Sequence, residues 1–364
     1  MQSTAIKTSP RTADIGDYLK LFACTAVMLQ TILNTTLTSI PKPPATIQVG
    51  IGMTYNLVKF TAPAFIFGIL YTTLRTTAHP TPTYHQYLTT QWHALFVPTI
   101  WWTSIYLLVM PWVQQVTRYH SIGGFLWQFI NGNAAPHLWY NTMMLQFIIL
   151  MPLFWWLSRW CDTNTYRGFI VLLITTILYF GWLLLYDILV FHGPFMNTWY
   201  LLDRFFFSFI IYGVGGTLAW QYQHFLDKFG QRWWLLILVI AVASYYWINT
   251  ELFQFTRPVS LTNAIYYKPS MAIYDIAIIL LIATLGTYQL NRHLPVTRLV
   301  HYLATFAYKA FLSNVFWQQL LWLSFGKQLT AQHDVLGIIT VYVGTWLLSF
   351  ASAMTLHFLW RQMS

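Results

Sequence analysis

The sequence predicts an all-α, polytopic integral membrane protein: one domain over residues 1–364, with a short polar tail at 1–14. Three observations carry this. Only 8% of the residues are Asp, Glu, Lys or Arg and 57% are hydrophobic, against about 25% charged in a soluble domain. So little charge cannot cover a globule with polar surface, and lipid is the solvent such a surface suits. Apolar runs long enough to cross a bilayer, about 20 residues each, recur ten times, and Lys and Arg are distributed unevenly among the segments between them.

The leading "MQSTAIKTSPRTADIGDYLK" is polar and moderately basic, and no small-residue cleavage site follows the first apolar run, so that run reads as a retained helix. The ten spans lie near 18–38, 50–73, 88–112, 138–158, 168–190, 201–222, 233–250, 271–290, 303–325 and 335–360. The third carries Gln91, His93 and Pro98; the ninth carries Lys309, Asn314 and two glutamines. "IPKPPAT" (40–46) is a stiff Pro-rich turn. The loop at 113–137 contains "SIGGFLWQFINGN", whose aromatic content suits an element lying at the interface. "GVGG" (213–216) looks like a phosphate loop, but it sits inside an apolar span with no strand before it, so close helix packing explains it better. Cys24 falls in an apolar run and Cys161 in a polar loop, a spacing that fits neither a disulfide nor a metal site.

Ten spans put both termini on one side. That side holds Lys7, Arg11, Arg75, Arg159, Arg167, Lys228, Arg232, Arg292, Arg298 and Arg361; the other holds Lys42, Arg118, Arg257, Lys268 and Lys327. Ten cations against five make the side of the termini cytoplasmic, in a multi-pass protein of the plasma membrane. The net charge of +10 does not call for nucleic acid, because the cations stand singly between apolar runs. An anionic lipid leaflet accounts for them better.

Ionisable residues within spans are functional candidates, because burying them is costly. Lys20 and Asp17 stand at the cytoplasmic mouth of the first span, as a snorkelling Lys with its counter-ion or as part of a site. Lys59 lies mid-span, too deep to snorkel easily, and predicts a polar cavity. Lys309, two turns into the ninth span, is within snorkelling reach. Asp203 and Arg204 open the sixth span; neighbours on a helix project apart, so each is expected to meet partners elsewhere, with Asp187 and Asp275 as possibilities. His137 stands at the outer entrance to the fourth span, where an imidazole suits proton transfer near neutral pH or serves a structural role.

The order of short motifs resembles the membrane-bound acyltransferase family 3. "IGDYLKLFACTAVMLQT" resembles the family's I-D-x-L-R entry into helix 1. "FTAPAFIFGILY" is similar to its second-span segment without the Ser-Gly ending. "HLWYNTMMLQFIILMP" matches its H-L-W helix with the same interval from His137 to Pro152. "RFFFSFIIYGVGG", "YYKPSMAIYDIAIILL" and "AYKAFLSN" (307–314) follow in family order, so the likeness runs from about residue 14 to 360. Two departures stand out. The helix-1 histidine taken as the family's catalytic base falls at Gln30 or Thr31, and the ninth-span histidine is replaced by Asn314. An amide cannot draw a proton from a hydroxyl, a step worth roughly 10²–10⁴ in rate.

The resemblance implies transfer of an acyl group, usually acetyl, to a cell-surface glycan. No cofactor would be bound permanently, and acyl-CoA would be the cytoplasmic donor substrate, its phosphates meeting Lys20 and Lys309 as point charges. The acceptor would lie near His137, Trp139, Arg204, Lys59 and Lys268, with His137 as the remaining base. The alternative is a non-catalytic member acting in export or assembly of a surface polysaccharide. An ion-coupled solute transporter is a weaker reading, since corresponding halves show no pair of Gly/Pro-interrupted helices.

Overall fold

A computed structural model describes residues 13–39, 42–78, 81–116, 118–191, 193–254 and 258–363. The expected cytoplasmic positions Lys7 and Arg11 and the outer Arg257 lie outside the described residues. Among those described, the chain is all-α. Seven helical stretches are long and apolar enough to cross a membrane, and an eighth joins them if one bent pair counts as a single span.

Helix α1 (Ile15–Thr38) opens on a capping box: the Asp14 carboxylate accepts from the Asp17 N–H, and the Asp17 carboxylate accepts from the Asp14 N–H. α2 (Ala45–Leu57) starts directly after Pro44, and α3 (Thr61–Thr77) follows a break at residues 58–60. α4 (Tyr84–Gln91) runs through a π turn at Trp92–Phe96 into α5 (Val97–Val109). The aromatic loop forms α6 (Ile122–Asn131), N-capped by the Ser121 hydroxyl. Ile122, Leu126, Trp127 and Ile130 of α6 are exposed while Gln128 and Asn131 are buried, as in a helix lying at a lipid interface.

The fourth apolar run bends by 55° between α7 (Trp139–Ile149) and α8 (Met151–Asp162). Pro152 supplies the cause, since it has no N–H to continue the ladder and its ring crowds the preceding turn. Cys161 ends up buried within α8 rather than in a polar loop, and both cysteines are free. α9 (Thr165–Tyr186) presents Phe169, Ile177 and Leu184 outward, as a lipid-facing helix does.

The sixth run departs most from a plain span. Its first half forms two 3₁₀ turns, Tyr200–Arg204 and Phe206–Phe209, and only Ile210–Gln221 is α-helical, as α10. The polar Asp203–Arg204 step is held by side chains from elsewhere: Tyr267 OH donates to the Asp203 carbonyl at 2.7 Å and the Gln146 amide to the Arg204 carbonyl at 2.7 Å. α11 (Gln223–Gln254), α12 (Pro269–Asn291), α13 (Val296–Leu321), the short α14 (Lys327–Gln332) and α15 (Asp334–Met363) complete the chain. α10 is too short to cross a bilayer by itself, and α13, with Lys309, Asn314, Gln318 and Gln319, is more polar than the seven long apolar stretches.

α1 is the central helix, packed on α3, α12, α13 and α15. The glycines of "GVGG" serve packing: a Cβ at Gly213 would stand 2.5 Å from the Phe147 ring, and one at Gly216 would stand 2.4 Å from the Phe67 carbonyl oxygen. α10 and α3 therefore approach backbone to backbone.

Candidate functional site

The break at residues 58–60 creates the site. The Thr61 N–H bonds to the Lys59 carbonyl at 2.7 Å instead of continuing the α-helical ladder. The carbonyls this frees find side chains of other helices: Tyr274 OH donates to Leu57 O at 2.6 Å, and the Gln30 amide donates to Val58 O at 2.5 Å. Buried carbonyls need such partners, and the break is stable because α1 and α12 supply them.

Above the break lies a cavity of about 650 Å³. Its lining joins Gln30, Lys59, His137, Trp139, Tyr140 and Tyr266, with Lys42, Gln115 and residues 259–262 at the loop end. It therefore opens on the side expected to be extracellular. Lys59 is 7% exposed. Its ammonium lies 4.3 Å from the centre of the Tyr266 ring and 4.9 Å from that of Tyr55, with the Tyr55 hydroxyl at 3.4 Å. Cation–π contact of this kind offsets part of the cost of burying a charge. Tyr266 is fixed in turn by a 2.7 Å hydrogen bond between its hydroxyl and that of Thr61.

His137 is held between Tyr106 and Phe311, both edge-on to its ring, with Nε2 3.3 Å from the Leu312 carbonyl. That contact makes Nε2 the protonated nitrogen. Nδ1 keeps its lone pair and has no hydrogen-bond partner among the described residues. Burial pushes the imidazole down to about 3, so the ring is neutral near pH 7.

Five of the candidate positions thus meet in one cavity: Gln30, Thr31, Lys59, His137 and Trp139. Arg204, Lys268 and Lys20 are held in ion pairs elsewhere. Arg204 pairs with its neighbour Asp203 (Nε–Oδ1 3.2 Å), contrary to the expectation that the two would point apart. The 3₁₀ turn, not an α-helix, sets their geometry. Arg204 also donates to the Asn131 carbonyl and, at 2.7 Å, to Asn133 Oδ1, tying the end of α6 to the turn before α10. Gly132 makes the corner there at φ +70°, where a Cβ would meet Trp139 Cα at 2.7 Å. Lys268 pairs with Glu251 at 3.2 Å. Asp275 accepts from Tyr212 OH at 3.4 Å and is not a partner of Arg204 in any described contact.

Lys20 lies at the opposite end and is paired: Asp17 takes its ammonium at 2.9 Å and His301 Nδ1 at 2.7 Å, while Arg75 reaches Asp14 at 2.7 Å. This cluster ties α1 to α3 and α13. Lys309, two turns along α13 from His301, is partly buried and makes no ion pair among the described residues. Neither Lys20 nor Lys309 lines the outer cavity. Asn314 is fully buried, its amide donating to Phe311 O one turn back.

Tyr55, Tyr266, Thr61 and Gln115 were not singled out by sequence. Tyr55 stands four residues before Lys59, a helical neighbour. Tyr266 stands two before Lys268 in "YYKPS" and gives no sign of its distant partner. Comparison with protein-family models, curated proteins and solved structures finds no match for the chain.

Proposed function

We propose that this protein is a ten-span plasma-membrane acyltransferase-like protein with both termini in the cytoplasm. In this reading the outer cavity binds a saccharide acceptor. A neutral His137, through Nδ1, takes the proton of an acceptor hydroxyl as that hydroxyl attacks the acyl carbonyl of a cytoplasmic thioester such as acyl-CoA; the new C–O ester bond replaces the C–S bond, and the departing thiolate takes the proton back from His137. The observation that carries the reading is the convergence of Gln30, at the position of the family's base, with His137, Lys59 and Trp139 on one cavity. Aromatic faces with amides and hydroxyls between them suit a sugar, whose C–H faces are apolar and whose rim is polar.

A second reading, a non-catalytic member that binds a glycan during export or assembly, is favoured by three specific observations. A base is most effective with a pKa near the working pH, and His137 sits far below it. The Gln30 amide is used by the helix break. Lys20, the expected donor site, is neutralised by Asp17.

Glycan acylation in cells carrying the native protein, His137→Ala and Gln30→His separates the two. Loss of acylation in His137→Ala, with insertion intact, supports the transferase. Acylation absent in the native protein and present in Gln30→His supports the non-catalytic reading. Full activity in His137→Ala removes that residue from the chemistry.

A further inference from the structure

Within the reading of the outer cavity as a saccharide site, we infer that the sugar it takes is acidic, its carboxylate or phosphate ester seated against the Lys59 ammonium. Among the described residues the cavity lining contains two lysines, Lys42 at the mouth and Lys59 at the floor, and no Asp or Glu. Lys59 forms no ion pair among the described residues; its contacts are two tyrosine rings and the Tyr55 hydroxyl. A Lys that is 7% exposed is rarely left without an opposite charge. Asp275 is within reach of the Lys59 charge but forms no ion pair with it; it is fully buried, lies outside the lining and accepts from Tyr212. His137 brings no negative charge.

The surroundings are arranged for an anion. The Tyr55 hydroxyl lies 3.4 Å from the ammonium, and the Tyr266 and Thr61 hydroxyls, bonded to each other at 2.7 Å, line the same cavity. Trp139 and Tyr140 give the walls aromatic faces for the sugar ring. Because the Lys59 ammonium is shielded from bulk water and low dielectric strengthens a charge pair, an acidic group here discriminates strongly against its neutral counterpart. A single ammonium balances one uronic-acid carboxylate fully and a sugar phosphate, which carries roughly −1.5 to −2 near pH 7, in part, so both belong to the acidic class that the site would take.

The test uses full-length protein in lipid nanodiscs on an array of paired glycans. Each neutral oligosaccharide is printed beside its uronic-acid form and its phosphate-ester form. The native protein should bind one acidic form about tenfold or more above its neutral partner, as expected for a desolvated charge pair. Which acidic form wins identifies the source of the anion. Lys59→Met, which keeps the apolar volume, should abolish the difference, and Lys59→Arg should retain it. Equal binding of neutral and acidic members by native protein overturns the inference while leaving a saccharide site standing. A preference that survives in Lys59→Met also overturns it. Binding of no glycan on the array overturns both the inference and the saccharide reading. If Lys59→Met does not insert, the native comparison alone decides.

Discussion

The buried imidazole of His137 makes stability depend on pH. The imidazole, pushed by burial from 6.5 to about 3, is bound by a proton in the unfolded chain before the folded one. Its contribution is therefore complete above about pH 6.5 and is lost as pH falls. His137→Gln removes this effect. Lowering the pH from about 7.5 to about 5 should depress the thermal midpoint of the native protein more than that of the variant; an equal drop would mean that the folded protein admits a proton to His137. At this scale the sequence was partly readable. An isolated Lys59 within an apolar run and the amide at Gln30 mark themselves. The tyrosines that hold the Lys59 ammonium do not, because Tyr266 gains its role only through a contact some 200 residues distant.

Among the helices, the places where the ladder stops divide into two kinds. The bend between α7 and α8 has a local cause in Pro152 and can be read directly from the chain. The break between α2 and α3 has a local cause as well: Pro63 has no N–H for the Lys59 carbonyl four residues back, and its ring crowds that carbonyl. Gln30 and Tyr274, from α1 and α12, then receive the carbonyls of Val58 and Leu57, partners that no window of local sequence reveals. The two 3₁₀ turns before α10 are of the other kind, with no Pro or Gly between residues 200 and 209, and are held by Tyr267 and Gln146. The contact of α10 with α3 makes a sharp test. In Gly216→Ala the new methyl group meets the Phe67 backbone oxygen, which has no rotamer to give way. The cost should be about 1–3 kcal/mol, as for other overpacked sites. Gly181→Ala, on α9 with open space around it, should instead gain about 0.5–1 kcal/mol from helix propensity. Thermal unfolding of both variants in one detergent would show the opposite signs.

For the whole molecule, composition and run length were sufficient to give an all-α membrane protein, since both follow from what lipid tolerates. A polar cavity at Lys59 was legible, but its full lining was not, because that depends on which ends of the helices splay apart. Here one end is fastened by the Asp14, Asp17, Lys20, Arg75 and His301 cluster, and the other opens between α1, α2 and the loop residues 259–262. The proposed orientation predicts that a membrane-impermeant thiol reagent applied to intact cells labels Thr262→Cys and not Thr163→Cys. Both native cysteines are buried and give little background. The reverse pattern would turn the cavity toward the cytoplasm.

The Lys59 cradle also constrains the order of biosynthesis. The ribosome delivers α2 and α3 long before Tyr266 and Tyr274 exist, a gap of some 200 residues, or about 10–40 s at ordinary elongation rates. During that interval segment 45–77 has only Tyr55 to meet the Lys59 ammonium, and one of its two captured carbonyls has no partner. Chains truncated after α11 should accordingly leave segment 45–77 open to proteolysis, and chains extended through α12 should protect it.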